Sequence, residues 1–260
     1  TRVERWECDF NDHWNTRHHV GCVQAAAEVV AMRAGLANAG AACCDQRHLR
    51  FHRELFAGAS VTVFSARVAG GAFDGAVLHL ITSEGQLCTS ALDRPGQGGE
   101  ALPTVAPEEI ARALPRGLTS ALPAAPDSAE PLELGPLRPK DFDHAGRLLA
   151  ESLVSRSASA STALWQQLVG DPVPGIGRMA VESRFSHLGD CQPGDRLLAT
   201  SRLIHLGTKS LTLCHWIATG AGAPVALVEH VLLTVDLQSR RAIALPGALR
   251  RAVARDSVTL

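Results

Sequence analysis

The chain has 260 residues, of which 46% are hydrophobic and 20% are charged. That is the composition of an ordinary globular protein, long enough to bury a sizeable core as one large domain or two small ones. Its formal net charge is -1, and its positive charges, nearly all arginine, form no basic run. The charge pattern therefore argues against nucleic acid or an anionic membrane as a partner.

Cysteine usage and the N-terminal sequence indicate the compartment. The seven cysteines are an odd number and include no Cys-x-x-Cys, which argues against a disulfide framework and against a zinc site. The first residues lack the basic and apolar regions of a signal peptide, and no apolar window approaches about eighteen residues. We therefore expect a soluble cytoplasmic protein without a structural metal.

A stretch rich in Pro, Gly, Ala and Ser divides the chain between residues 94 and 139. Within it only residues 107–114 predict a helix, with Pro107 at its start and acids in its first turn. A structureless loop of this length inside one domain is unusual, so we expect a linker or an ordered wrap. The predicted parts are a first unit, a linker, a second unit and a tail, at residues 1–95, 96–135, 136–247 and 248–260.

The two units are similar in sequence at a constant offset of 136 residues. Each match alone is weak, but several at one offset and in one order indicate an internal duplication. The matched pairs are Glu54 with Asp190, Gly58 with Gly194, Ser65 with Ser201, Gly71 with Gly207, and His79 with His215.

Each unit also predicts the same elements in the same order. A short strand (residues 3–8, and around 137–142) precedes a long helix (18–37, and 148–169), and four strands follow. In the first helix, apolar residues recur at spacings of three and four. This order predicts an α+β fold in which a curved antiparallel sheet wraps each helix, with the two sheets forming one continuous surface. The strands are predicted at residues 46–55, 60–68, 76–82 and 86–92, and at 179–188, 196–204, 210–218 and 225–236.

The densest polar cluster of the chain lies between the first predicted strand and the first helix. Asp9, Asn11, His13 and Asn15 alternate along it, as residues on one side of an extended segment do. Four polar residues that face one way before a helix have few structural reasons to be there. Asn15 also suits a helix N-cap.

Simpler interpretations apply to the neighbours of this cluster. Thr16 is an alternative N-cap, and Asp12 is typical of a solvated turn. His18 and His19 are typical of a protein surface rather than of a ligand site.

The Asp-x-Asn-x-His-x-Asn run, followed by a long helix, resembles plant and bacterial acyl-carrier-protein thioesterases of the hotdog fold. Residues 51–55 (Phe-His-Arg-Glu-Leu) resemble the aromatic-x-Arg-Glu segment of those enzymes. The resemblance implies two tandem hotdog units and a catalytic set of Asp9, Asn11, His13 and Glu54. It also implies an acyl-CoA or acyl-carrier-protein substrate and no cofactor.

The second unit resembles a different branch of the hotdog thioesterases. Residues 141–146 are similar to the Asp-x-Asp-x-x-Gly motif of 4-hydroxybenzoyl-CoA-type enzymes, whose second aspartate maps to Asp143. The unit has Ala145, Arg147 and Leu149 where the first has its Asn and His residues. We therefore predict that the second unit is largely non-catalytic. In the simpler interpretation, Asp143 is a turn or cap residue.

Several residues are candidates for binding the substrate rather than for the chemistry. We predict this role for Asn15 and Asp143 near the helix starts, and for three cations that suit the phosphates of CoA, Arg50, Arg53 and Lys209. Glu54 also suits a surface strand carboxylate paired with one of these arginines.

The acid and amide groups suit thioester hydrolysis, in which a carboxylate attacks the carbonyl or activates water. Whether Asp9 or Glu54 does so stays open in the sequence. A hotdog dehydratase or hydratase and a non-catalytic acyl-thioester-binding subunit are the alternatives. We also expect a homodimer, because paired units often leave a sheet edge or face exposed.

Overall fold

The computed structural model describes residues 1–9, 12–36, 44–125, 130–143, 145–170, 174–245, 247 and 250–251. Asn11 and most of the predicted tail lie outside this part of the chain. Within it, neither long helix combines the length and the apolar character that crossing a bilayer requires.

Two similar sets of elements follow each other along the chain. The first set, called unit 1 below, has one long helix and four strands: α1 (Thr16–Arg33), β1 (Gln46–Phe51), β2 (Thr62–Val68), β3 (Val77–Ser83) and β4 (Gln86–Arg94). A two-residue strand, β5 (Thr104–Val105), follows it. The second set, unit 2, consists of β6 (Leu132–Pro136), α2 (Ala150–Val169), β7 (Ile176–His187), β8 (Arg196–Leu206), β9 (Ser210–Thr219), β10 (Pro224–Asp236) and β11 (Arg241–Ala242).

The strands form one sheet with the order β5-β2-β3-β4-β1-β7-β10-β9-β8-β6, and β11 pairs with β10. The two units join where β1 pairs antiparallel with β7, from Gln46 opposite Ser186 to Arg50 opposite Glu182. His48 and Glu182 reinforce this junction with a buried hydrogen bond of 2.8 Å between Nε2 and Oε1. The continuous sheet predicted from the sequence is thereby confirmed.

Both helices pack on the same side of the sheet and contact each other. The apolar stripe of α1 is buried as predicted, with Val20 and Val23 fully enclosed in a core that also contains Leu153 of α2 and Phe185 of β7. Gly21 lets the helices approach closely, since a Cβ there would lie 2.3 Å from Oε2 of Glu151. The units therefore share one hydrophobic core.

The duplication is visible in buried side chains as well as in the order of elements. The hydroxyl of Ser65 lies 2.8 Å from Nδ1 of His79, and that of Ser201 lies 2.7 Å from Nδ1 of His215. Both pairs join neighbouring strands at equivalent places in their units, β2 with β3 and β8 with β9. The residues of two sequence matches at offset 136 therefore form the same Ser–His hydrogen bond in each unit.

The strands predicted at residues 3–8 and 137–142 are wrong. The first is a 3-10 turn at Arg5–Glu7, because the Glu7 carboxylate accepts hydrogen bonds from the Glu4 amide and from the Trp14 indole, each at 3.0 Å. In unit 2 the strand lies earlier, at β6, and a 3-10 turn that starts with Pro139 occupies the predicted position. Because β6 pairs with β8, unit 2 extends to the N-terminal side of residue 136.

The segment between the units is an ordered wrap across the face of the sheet opposite the helices, as far as residue 125. The helix predicted at residues 107–114 is only a 3-10 turn, Pro107–Ile110. Ile110 packs in a small core with Val68 and Leu78. Further along, the amide of Gly117 donates to Glu182 at 2.8 Å, and the Trp216 indole donates to the Pro123 carbonyl at 3.1 Å.

Candidate active site

A cavity with a volume of about 350 Å³ lies where the start of α1 meets the strand ends of unit 2. Unit 1 lines it with the polar segment before α1 and with residues 51–55, at the end of β1 and just after it. Unit 2 lines it with residues 178–181 of β7, with residues 235–237 at the end of β10, and with Arg240. The cavity is therefore built from both halves of the duplication.

The polar segment before α1 is a tight turn, and the extended conformation inferred from its alternating pattern is wrong. The Asp9 amide donates to the His13 carbonyl at 2.8 Å, and the His13 amide donates to Oδ1 of Asp9 at 3.1 Å. Asp12 reverses the chain with a φ of 61°. The turn nevertheless places Asp9 and His13 on the cavity wall, while Asn11 lies outside the described residues.

Asn15 is the N-cap of α1. Its Oδ1 accepts a hydrogen bond of 3.1 Å from the Arg17 amide, which satisfies one of the free donors at the helix start. Asn15 and Thr16 both line the cavity. The positive end of the helix dipole therefore faces the space in which a ligand would lie.

Glu54, His13 and Arg240 form a cluster at the cavity. Oε1 of Glu54 lies 3.5 Å from Nε2 of His13, and its Oε2 accepts a hydrogen bond of 3.0 Å from Nη1 of Arg240. The side chains of His13 and Glu54 are 20% and 30% exposed, whereas that of Arg240 is 53% exposed. The carboxylate is thus held from two sides and stays in reach of water.

Arg240 also contacts His13. Its Nη1 lies 3.0 Å from Nε2 of His13, so one guanidinium nitrogen lies close to both the imidazole and the Glu54 carboxylate. The Phe56 ring orients both groups, with the His13 ring edge-on at 5.4 Å and the Arg240 guanidinium at 5.6 Å.

Arg240 was missed by the sequence analysis. It lies in the turn after β10, at a φ of 54°, and is 186 residues away from Glu54 in the chain. No motif marks it, and only the pairing of β1 with β7 brings it to unit 1.

The first turn of α1 adds a buried wall to the cavity. His19, predicted to be a surface residue, is only 5% exposed, and its Nδ1 lies 2.8 Å from the Thr89 hydroxyl. Burial lowers the pKa of His19 to about 3. Its ring packs against Trp14 at 4.4 Å and against Phe51 at 5.5 Å. The wall is therefore largely aromatic, although aromatic residues form only 4% of the chain.

The residues predicted to bind the substrate do not all reach this cavity. Asn15 and Arg53 line it, and Arg53 is exposed. Arg50 instead donates to the Arg112 carbonyl of the wrap at 2.7 Å, and Lys209 donates to the Ala242 carbonyl at 2.9 Å. Asp143 accepts hydrogen bonds from the backbone of its own turn. These last three residues are held elsewhere in the fold.

Unit 2 has a smaller pocket at the equivalent position, with a volume of about 220 Å³. Arg147 and Asp190 line it, at the places that His13 and Glu54 occupy in unit 1. Arg147 lies 3.7 Å from Asp45. Burial and the nearby Arg147 lower the pKa of His187 to about 4. The duplication thus preserves a pocket here while its polar residues differ.

Metal binding is not indicated in the part of the chain that the structure describes, where no group of three or more His, Cys, Asp or Glu side chains is suitably placed.

Residues 137–253 match the family model of the thioesterase-like superfamily. A stretch of 79 residues is 39% identical to the L-carnitine dehydrogenase/betainyl-CoA thioesterase of Agrobacterium fabrum. That match covers 30% of this chain and 16% of the relative, so the chain spans about a sixth of the curated protein it matches.

Two solved structures are similar over almost the whole chain. An acyl-ACP thioesterase from Bacteroides thetaiotaomicron has a TM-score of 0.62 at 10% identity, over 89% of this chain and 95% of that one. The 12:0-ACP thioesterase from Umbellularia californica has a TM-score of 0.60 at 13% identity, over 90% and 95%. At these identities the likeness concerns the fold.

Together the repeat, the sheet and these structural matches define the fold. The chain has a double-hotdog fold, and the match to the thioesterase-like superfamily covers its second half. The fold implied by the resemblance stated from the sequence is confirmed.

Proposed function

We propose that the protein hydrolyses an acyl thioester of CoA or of an acyl-carrier protein. The observation that carries this proposal is the cluster of Glu54, His13 and Arg240 beside the start of α1. It combines a carboxylate, an imidazole and a helix dipole at one accessible cavity. The matched relative and the two similar structures are thioesterases, which supports the same chemistry.

Glu54 is the proposed general base, since it is the carboxylate that faces His13 in the cavity. One of its oxygens accepts a proton from water, and the water oxygen attacks the thioester carbonyl carbon. The negative charge that develops on the carbonyl oxygen is stabilised by the positive end of α1. The carbon–sulfur bond then breaks, and the leaving thiolate takes the proton from Glu54.

Asp9 and His13 have positioning roles in this scheme. Oδ1 of Asp9 holds the turn by accepting the His13 amide proton, so we assign Asp9 as the organiser rather than the nucleophile. The His13 ring orients the water beside Glu54. By the family resemblance, Asn11 adds an amide donor for the oxyanion.

Substrate binding is proposed for the residues at the cavity rim. Asn15 orients the thioester from the N-cap, and the exposed Arg53 meets a phosphate of the carrier group. Arg50, Lys209 and Asp143 are not part of this proposal. The homodimer and the cytoplasmic location stay predictions from the sequence.

Three isosteric variants test the proposal. Glu54→Gln should lower kcat by about a hundredfold or more, the scale of a positioned acid–base group. Asp9→Asn should lower kcat by about tenfold, because a neutral amide oxygen accepts the His13 amide hydrogen bond more weakly than a carboxylate does. Asp143→Asn is the matched control for Asp9→Asn, because Asp143 accepts the amide of Arg147 in the equivalent turn. It should change kcat by less than about twofold, within what a distant turn residue does to turnover.

Thiol release from a series of acyl-CoA substrates is the measurement. Loss of activity in Asp143→Asn with retention in Asp9→Asn would place the active site in unit 2. Water addition to enoyl-CoA without thiol release would instead support the hydratase alternative.

A further inference from the structure

We propose that the acyl group of the substrate carries a carboxylate, which Arg178 binds inside the cavity. The natural substrates are then thioesters of short dicarboxylic acids. The inference rests on the proposed hydrolase function and names the substrate class for the same site.

Arg178 lies on β7 and lines the cavity together with the Glu54 cluster. Its guanidinium stacks over the Trp165 ring of α2, with Cζ 4.5 Å from the ring centroid. Trp165 is 8% exposed and belongs to the core of unit 2. One face of the guanidinium is thereby covered, while its N–H groups, which lie in the plane, stay available for an acceptor.

Arg178 lacks the carboxylate partner that the other buried arginines have. Arg47 is bound by Asp93 at 2.6 Å, and Nε of Arg184 donates to Glu229 at 2.6 Å. For Arg178, among the described residues, only the Trp165 contact is found, and burial alone lowers its pKa. A partly buried cation without a counter-ion is costly, and an anionic ligand would remove that cost.

The acids that line the cavity are already engaged. Glu54 is paired with Arg240, the Asp236 carboxylate accepts the Ser239 amide at 2.6 Å, and Asp9 accepts the His13 amide. The exposed Arg53 lies at the rim. Arg178 is therefore the cation left to meet an acidic group inside the cavity.

The size and lining of the cavity set the length of the acyl group. A volume of about 350 Å³ is at the small end of ligand pockets, which span roughly 300–1,000 Å³. Ala180 and Leu237 add apolar surface to its unit 2 wall. A thioester at Glu54 and a carboxylate at Arg178 thus leave room for a short methylene spacer.

The test compares two CoA thioesters with five-carbon acyl groups, glutaryl-CoA and pentanoyl-CoA, which differ in a terminal carboxylate. The wild-type protein should prefer glutaryl-CoA in kcat/KM by about 10- to 100-fold, the factor that a charge-assisted hydrogen bond supplies. Arg178→Met should abolish that preference. Arg178→Lys should retain part of it, because an ammonium keeps the charge but loses the bidentate fork.

Arg53→Met separates the acyl carboxylate from the phosphates of CoA as the bound anion. It should lower kcat/KM for both substrates by a similar factor and leave their ratio as in the wild type. If Arg178→Met behaves in this way instead, Arg178 binds a CoA phosphate and the inference is wrong.

The wild-type measurement alone distinguishes a failure of this inference from a failure of the proposed hydrolase function. Hydrolysis of pentanoyl-CoA at least as fast as glutaryl-CoA overturns the inference and leaves the hydrolase function standing. Absence of hydrolysis across the whole acyl-CoA and acyl-carrier-protein series overturns the hydrolase function itself.

Discussion

Mild acid should destabilise this protein well before its carboxylates titrate. Three of the buried histidines carry this prediction: His19 in the cavity wall, and His215 and His230 under α2. Burial lowers their pKa values to about 3, 3 and 4 respectively. In the unfolded chain a histidine has a pKa of about 6.5.

The sign follows from which state binds protons. Below pH 6.5 the unfolded chain takes up protons at these rings and the folded chain does not, so the free energy of unfolding falls as the pH falls. By pH 5 the loss is about 2 kcal/mol for each ring, or about 6 kcal/mol for three. That is comparable with the whole stability of many domains, about 5–15 kcal/mol. His52 and His187, with pKa values lowered to about 4, act in the same direction.

Urea unfolding at pH 7, 6 and 5, followed by tryptophan fluorescence, measures the effect. The sharpest control is His230→Gln. The two ring nitrogens of His230 lie 2.9 Å from the Ser157 hydroxyl and 2.8 Å from the Ser183 hydroxyl, and the glutamine amide replaces the ring with a group that does not titrate. This variant should be less stable at pH 7 but should lose about 2 kcal/mol less than the wild type between pH 7 and 5. A free energy of unfolding that stays constant from pH 7 to pH 5 would refute the reasoning.

Two further substitutions test contacts that join distant parts of the chain. Arg240→Met should lower kcat about tenfold and change the pH profile of kcat, because Glu54 loses its charged partner and His13 loses its hydrogen-bond donor. Steady-state kinetics across a range of pH measures both effects, and simple unfolding would lower kcat without changing the profile. Asp93→Asn should reduce the free energy of unfolding by about 3–5 kcal/mol, since it leaves the buried charge of Arg47 unpaired. Urea titration measures this change. The double replacement Arg47→Met with Asp93→Leu should reduce the free energy of unfolding by less than Asp93→Asn does. An equal or larger reduction would show that the unpaired charge is not the cause.

The repeat was predictable because its signals are local and periodic. The apolar stripe of α1 follows from spacings of three and four, and the Ser65–His79 and Ser201–His215 pairs recur at the same offset. Most strand bounds differ from the prediction by only a few residues. The strand predicted at residues 3–8 is wrong because the Glu7 carboxylate caps a turn there, which apolar periodicity does not register.

The candidate site was predictable only as far as its motif reached. The motif identified Asp9, His13 and Glu54, which the fold does bring to one cavity. The pattern of alternate polar residues suggested an extended chain, and the positive φ of Asp12 makes it a turn. Arg240 and Arg178 come from the other unit, and nothing in their own sequence neighbourhood indicates a site.

Two hotdog units that lie in one chain need not have identical sequences. In a twofold homodimer every residue occurs twice, so a substitution that improves one site also alters the other. Here the seam between β1 and β7 joins the two units within one chain, so the two pockets are encoded separately. One of them, about 350 Å³, combines Glu54, His13 and Arg240, and the other, about 220 Å³, has diverged to Arg147 and Asp190. The two pockets are therefore free to differ, because a substitution in one unit leaves the other unit unchanged.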